Sequence, residues 1–340
     1  MIPDVSIITI AYNHERYIGS CVRSVLAQSF GRWEQIVLDD GSTDSTAAIV
    51  QEIRDPRVRY VRQDRLGIEA LAHTYNRALD LCRAPIVAIL EGDDLWPAGK
   101  LKQQLPPLVN DDAVLSFGET QEVDAGGMIA KTSSRTAEKR RRMPPQVLNN
   151  DPIGSATKHL LTLDGQSFIQ PATILIRRKA LVKIGGFQYV PGICPPDVPT
   201  FIRLSLLGRF LYSPEVLGYR RRHLNSSTMQ FLQPMAVAPR RFAFAFVNNP
   251  ELGLNQEERA AIRKTWEARS QTREFDAGRI CLLERQWKQA RLHFREALQP
   301  HSPRTATGAA IGWLLSWAHL DLEGVFRLAG RAALQPQEHE

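Results

Sequence analysis

Ile86-Val87-Ala88-Ile89-Leu90-Glu91-Gly92-Asp93-Asp94 runs from unbroken apolar side chains into three carboxylates within four residues. An apolar run of this length has no polar face to show solvent, so it reads as a strand buried on both sides. Its acidic end cannot be buried in the same way. Crowded carboxylates repel, and they either share a proton or gather a cation. The blander reading is the acidic first turn of a helix.

Upstream of this stretch the same grammar repeats three times. Val5-Ser6-Ile7-Ile8-Thr9-Ile10 is a β-branched strand ending in the polar turn Ala11-Tyr12-Asn13, and Tyr17, Ile18, Cys21, Val22, Val25 and Leu26 then recur at helical spacing. Gln35 to Leu38 is a second strand, closed by Asp39-Asp40-Gly41-Ser42-Thr43-Asp44 before a helix carrying Ala47, Val50 and Ile53. Val58 to Arg62 is a third strand, and Leu71, Ala72, Tyr75, Ala78, Leu79 and Cys82 mark a third helix. Right-handed crossovers make this β-α-β-α-β-α-β order an α/β fold with a mostly parallel sheet. Ligands of such sheets bind beyond the carboxyl ends of the strands, which brings Tyr12, Asn13, Asp39, Asp40, Glu91, Asp93 and Asp94 to one rim.

That rim has no G-x-G-x-x-G after the first strand, and the chain has no G-x-x-x-x-G-K-[ST], so phosphate binding by either glycine-rich loop is excluded. A metal is expected to take over that work. Asp40 is placed to accept the imide proton of a uracil, the alternative being a capping role for the Asp39-Asp40-Gly41-Ser42 turn.

Val5 to Asn13, Asp39 to Asp44, Asn76 to Arg83 and Leu90 to Asp94, in that order, resemble the motifs of the family 2 glycosyltransferases of GT-A fold. The resemblance implies a nucleotide-sugar donor, with UDP suggested by Asp40, held by Mn²⁺ or Mg²⁺, and inversion at the anomeric carbon. It implies nucleotide-sugar binding by Ile10, Tyr12, Asn13, Asp40, Asn76 and Asp93. Asp93 would be the main metal ligand, with Asp94, Glu91 and His223 completing the set. Two departures stand out. Glu91 occupies a position where the family usually has aspartate, and Thr74-Tyr75-Asn76 lacks an arginine that many members carry before the asparagine, which leaves Arg65 or Arg77 as substitutes.

From about Pro106 to Gln166 periodicity fades, apart from a strand over Ala113 to Gly118, and Glu138-Lys139-Arg140-Arg141-Arg142 opens a basic loop. Such a run is a solvated surface or a contact for an anionic acceptor. Gln170 to Arg178 reads as a strand, followed by Lys179 to Ile184 and the turn Gly185-Gly186-Phe187, which resembles the family's second block. By that resemblance Asp197 is the catalytic base, at the start of a helix over 198 to 207, although Pro196 stands where a glutamate is usual. Phe210 to Tyr212 and Val216 to Tyr219 are read as strands leading to Arg220-Arg221-Arg222-His223.

The remaining third, from about Met229, has helical spacing only. Phe275, Ile280, Leu283, Trp287, Ala290, Leu292, Phe294 and Ala297 predict paired antiparallel helices, and Gly278, Trp287 and Ala290 resemble one tetratricopeptide-like hairpin. Ala309 to Leu320, with Trp313 and Trp317 on one side, is expected to pack against neighbouring helices, the alternative being a membrane interface. The expected domains are 1–226, with a donor half over 1–110 and an acceptor half over 111–226, and a helical region over 227–340.

Composition is that of an ordinary globular protein, with 43% hydrophobic residues and a net charge of +7 that suits a phosphorylated small molecule, an anionic membrane surface or nucleic acid without choosing among them. Cys21, Cys82, Cys194 and Cys281 form no C-x-x-C pair, so neither a disulfide framework nor a zinc site is predicted. A signal-like segment and a spanning apolar run of ~20 residues are both missing from the pattern, giving a cytoplasmic expectation with possible peripheral contact at the inner face of the membrane. The implied partners are the donor and a hydroxyl-bearing glycan or lipid-linked acceptor, not nucleic acid. Two other readings compete: a catalytically impaired nucleotide-sugar-binding protein, and a nucleotidyltransferase that releases pyrophosphate.

Overall fold

The computed structural model describes residues 2–129, 140–162, 167–190, 196–223, 246–299 and 302–320, and the chain divides into two compact units, Met1–Phe231 and Leu232–Glu340. Glu138 and Lys139 of the basic run, Cys194, Pro195 and the anticipated boundary at 226/227 lie outside the described residues.

In the first unit β1 (Val5–Ala11), β2 (Trp33–Asp39), β3 (Val58–Arg62) and β4 (Ile86–Ile89) alternate with α1 (Ile18–Leu26), α2 (Thr46–Gln51) and α3 (Leu71–Leu81). Next come α4 (Lys100–Asn110), β5 (Leu115–Val123), α5 (Pro145–Leu148), α6 (Ser155–Thr162), β6 (Leu175–Arg177), α7 (Arg178–Lys183), α8 (Asp197–Ser205) and β7 (Phe210–Arg221). The seven strands are ordered β3-β2-β1-β4-β6-β5-β7, and only β6 runs against its neighbours.

Every residue of β1, β2 and β4 is buried, as strands covered on both faces require. Val5 and Ile7 join Cys21 and Val25 of α1 and Leu101, Leu105 and Leu108 of α4 in one apolar cluster. Ala11 meets Ile18, Val22 and Val50 in another. Ser6 and Glu34 are buried polar exceptions that satisfy each other: the Ser6 hydroxyl donates to Glu34 at 2.7 Å, and Glu34 also accepts from the Arg83 backbone at 2.8 Å. This bond fixes the chain as it enters β4.

Three local expectations change. Gln170 to Arg178 is not one strand, because Pro171 has no N–H for a ladder; residues 171–173 make a 3₁₀ turn and β6 is confined to Leu175–Arg177. The two short strands after Phe210 are one, β7, whose register against β5 shifts at Gly118 and Glu119, opposite Pro214. The stretch after Pro106 is also more ordered than its pattern suggests. Pro106 and Pro107 lie inside α4, which forms nonetheless because Leu101, Leu105 and Leu108 bury one face.

The second unit contains α9 (Gln256–Leu283), α10 (Trp287–Glu296) and α11 (Pro303–Ala318). A capping box starts α9: Asn255 Oδ1 accepts from Glu258 N–H at 2.9 Å and Glu258 Oε2 from Asn255 N–H at 3.0 Å. Phe275, Leu282, Ala290, Phe294, Ala297 and Ala309 form its core, with Trp287 and Trp313 packed against it. One face of α11 thus packs on neighbouring helices, while Leu314 and Trp317 are exposed.

Candidate active site

The polar turns at the ends of β1 and β2 interlock. Asn13 takes a left-handed φ of 51°, which its short polar side chain tolerates, and its Oδ1 accepts from the Thr43 amide at 2.9 Å while its own amide donates to Ser42 Oγ at 2.9 Å. Asp39 is fully buried. Its two oxygens accept from the Ser42 amide at 2.7 Å and the Tyr60 hydroxyl at 2.6 Å, so it holds the turn from beneath. Burial, and then the bond to Asp39, push the Tyr60 hydroxyl up to about 12.

Asp40 is engaged on all sides. Oδ1 accepts from Gln63 Nε2 at 2.7 Å and from the Leu66 amide at 2.9 Å, and Oδ2 accepts from the Gly67 amide at 3.0 Å and from Arg65 at 3.4 Å. The Arg65 guanidinium lies over the Tyr12 ring, its central carbon 3.0 Å from the centroid. Ile10 contributes its carbonyl, which accepts from the Gly92 amide at 3.1 Å and ties β1 to the acidic end of β4.

At that acidic end the three carboxylates have three different environments. Asp93 Oδ2 lies 3.0 Å from His223 Nε2, just past the end of β7. Burial opposes ionisation of Asp93, but the His223 hydrogen bond and the nearby His14 hold its carboxyl below the usual range. Asp94 accepts from the Arg221 amide at 2.9 Å, and burial beside Asp93 pushes its carboxyl far upward. Glu91 takes the Tyr75 hydroxyl as its donor, and burial, then Asp93 and Asp197, push it up to about 8. Of the three, Asp93 is the carboxyl whose surroundings favour the anion.

Asp197 opens α8, where its Oδ1 accepts from the Val198 amide at 2.9 Å. Burial pushes its carboxyl up to about 6, against the pull of that amide and of Arg220. Such a group is ionised at neutral pH yet basic enough to accept a proton. Asp197 and Asp93 are both near enough for their charges to act on Glu91.

Asn76 does other work. Its Oδ1 accepts from Phe187 N–H at 2.7 Å and its Nδ2 donates to Phe187 C=O at 2.9 Å, so the amide clamps the Gly185-Gly186-Phe187 turn. Gly186 has a φ of 85° and passes directly against the Asn76 side chain, where a Cβ has no room. Tyr75, next door, lies against the Phe187 ring at 4.9 Å.

Among the described residues no three His, Cys, Asp or Glu side chains converge as a metal-holding group, so the expected set of Asp93, Asp94, Glu91 and His223 is not assembled as such. The reason is visible in their partners: Asp94 is used by Arg221 and Glu91 by Tyr75. Asp93 with His223 still fits a divalent cation. Cations that bind nucleotide phosphates need only one or two protein donors and take the rest from phosphate and water. The His223 imidazole also has a buried Nδ1 with no hydrogen-bond partner among the described residues.

Several residues of the site had no signal in the motifs. Arg221, read only as part of a basic run, is buried: Nε donates to Asp93 C=O at 2.8 Å, and a terminal nitrogen to Ala125 C=O at 2.8 Å. It is a brace between β4 and β7. Arg222 pairs with Glu122 at 3.2 Å. His14 packs over Gly92 with Nδ1 buried, and burial lowers its pKa despite Asp93. Gln63 reaches Asp40 from a segment without periodicity.

Comparison with known proteins identifies the family and the fold. The profile described as Glycosyl transferase family 2 matches residues 6–185. Over 127 residues the chain is 31% identical to the UDP-Glc:alpha-D-GlcNAc-diphosphoundecaprenol beta-1,3-glucosyltransferase WfgD of Escherichia coli, covering 37% of this chain and 49% of WfgD. The chain spans about half the length of the curated relatives it matches first. In fold it resembles S. aureus TarS 1-349, solved with UDP-GlcNAc, with a TM-score of 0.60 at 17% identity over 92% of this chain and 89% of TarS. The mannosyltransferase PcManGT of Pyrobaculum calidifontis, solved with GDP-Man and Mn²⁺, gives 0.56 at 17% identity over 98% and 89%.

Proposed function

The chain belongs to glycosyl transferase family 2 and has the GT-A fold, and on that footing we propose that it is an inverting, metal-dependent transferase moving a sugar from a nucleoside diphosphate, UDP by preference, to a hydroxyl acceptor in cell-surface glycan synthesis. The observation that carries this reading is Asp93 paired to His223 at 3.0 Å beyond the end of β4, with a second carboxylate, Asp197, at the start of α8, whose charge also acts on Glu91. The names of WfgD and TarS, one a glucosyltransferase to a diphospholipid-linked sugar and the other solved with UDP-GlcNAc, support the donor and acceptor classes.

In this reading Asp197 takes the proton of the acceptor hydroxyl as its oxygen attacks the anomeric carbon, and the bond from that carbon to the diphosphate oxygen breaks on the opposite face. Asp93 and His223 would hold Mn²⁺ or Mg²⁺, which when bound supplies positive charge for the leaving diphosphate. Tyr12 offers the base a stacking face, and Asp94 and Arg221 keep Asp93 in place. Asn13 and Asn76 act by fixing the turns around the pocket. Residues 1–226 form the catalytic domain, 1–110 serving the donor and 111–226 the acceptor, with 227–340 as a helical appendage. No helix among the described residues is long and apolar enough to cross a membrane, and any contact with the inner face of a membrane is taken to be peripheral.

Sugar-nucleotide turnover with Mn²⁺ tests the proposal. Transfer by the wild-type chain that disappears in Asp93→Ala is the expected result. Donor binding without transfer or donor hydrolysis over a broad acceptor panel would favour the impaired binding protein instead.

A further inference from the structure

The face of Tyr12 and the carboxylate of Asp40, the two features that a nucleotide base would use, are already taken by one side chain. Arg65 covers the Tyr12 ring at 3.0 Å and reaches Asp40 Oδ2 at 3.4 Å. A guanidinium is flat and carries N–H donors in its plane, so it meets Tyr12 and Asp40 with the same chemistry as a base that stacks through its face and donates through a ring N–H. We propose that Arg65 is a base-mimicking plug, displaced when the donor enters. This inference rests on the nucleotide-sugar reading above.

The four donors to Asp40 are not equivalent. A carboxylate offers about four lone-pair sites, and all are used here. The Leu66 and Gly67 amides at 2.9 and 3.0 Å belong to the backbone of a segment pressed against the turn after β2, where a Cβ on Gly41 would lie 2.9 Å from the Arg65 backbone nitrogen. Gln63 Nε2 is buried at 2.7 Å and also donates to Thr74 Oγ1 at 3.1 Å. Arg65 makes the longest of the four bonds, and its side chain is 42% exposed. The slot that can be exchanged is therefore the one Arg65 fills. A base enters by replacing both contacts at once: a π face for Tyr12 and an N–H for Asp40 Oδ2. Uracil N3–H and guanine N1–H meet that condition. Cytosine and adenine present a bare ring nitrogen at the corresponding edge and leave Asp40 facing a lone pair.

Displacing the plug subtracts from affinity, because only the open fraction of molecules binds. Removing it should tighten binding to the base itself. The test is calorimetric titration of the full chain with uridine, UDP and CDP, each with Mn²⁺, for wild type, Arg65→Ala and Arg65→Lys. The lysine variant keeps the charge but loses the flat stack, and thermal melts check that both variants are folded. The expected result is about a fivefold gain in uridine and UDP affinity for Arg65→Ala and a smaller gain for Arg65→Lys, with the preference for UDP over CDP, which Asp40 sets, kept in both. Weaker UDP binding with unchanged uridine binding would assign Arg65 to the diphosphate and overturn the proposal, as would affinities that do not change. If none of the three proteins bound any of these ligands, both the plug and the nucleotide-sugar reading would fall. UDP binding by wild type without the gain in Arg65→Ala sinks the plug alone.

Discussion

His223 Nε2 and Asp93 Oδ2 are 3.0 Å apart although 130 positions separate them, and the pair joins the end of β7 to the end of β4. Arg221 enforces it from two positions away, donating its amide to Asp94 and its Nε to the Asp93 carbonyl. In the sheet β6 and β5 separate β4 from β7, and the ends meet beyond them through Leu95 and Tyr219, whose backbones exchange hydrogen bonds of 3.0 and 2.8 Å.

If this pair holds the cation, Asp93→Asn or His223→Ala should weaken Mn²⁺-dependent UDP binding by about tenfold or more and lower kcat by about 10²-fold. Calorimetry with and without EDTA separates this from a folding defect, because uridine alone should bind both variants as it binds wild type.

Asp197 gives a pH signature. Its carboxyl rises from 3.8 to about 6 through burial, so activity should climb as pH rises through about 6, where the base becomes ionised. The stability consequence has the opposite sign. The folded chain holds this proton more tightly than the unfolded chain, so the contribution is full below pH 3.8 and is lost as pH rises through about 6. Asp197→Asn should therefore flatten the rise in kcat and leave a chain at pH 8 at least as stable as wild type in urea melts.

Asn76→Ala distinguishes a turn clamp from a donor contact. Loss of both bonds to Phe187 should cost about 1–3 kcal/mol of stability and lower kcat by loosening the turn before Asp197, with the donor KM nearly unchanged. A large rise in donor KM with unaltered stability would return Asn76 to the donor pocket.

Tyr75→Phe removes the donor to a buried Glu91 carboxyl. The expected loss is about 1–3 kcal/mol in chemical denaturation, the cost of an unsatisfied buried polar group.

The strand ends were legible because β1, β2 and β4 are β-branched or apolar-rich runs that stop in polar turns, and that pattern has few folded solutions. The apolar pattern alone does not separate Asp39 from Asp40, or Asp93 from its two neighbours; the family resemblance assigned Asp40 to the base and Asp93 to the metal, whereas the partners that set these carboxylates apart arrive from far along the chain: Tyr60, Arg65, Tyr75 and Arg221. α4 was hidden by Pro106 and Pro107, whose effect on the backbone is local while the burial of Leu101, Leu105 and Leu108 that offsets it is tertiary. β7 looked like two strands for a similar reason, since Pro214 interrupts the pattern but the ladder resumes on β5 after a shift in register.

The most direct measurement is single-turnover transfer from a UDP-sugar with Mn²⁺ by wild type and Asp197→Asn, with UDP affinity measured on the same samples. A chain that binds UDP as wild type does but transfers at least about 10²-fold more slowly after Asp197→Asn is the predicted result. Transfer by Asp197→Asn at the wild-type rate would contradict the account.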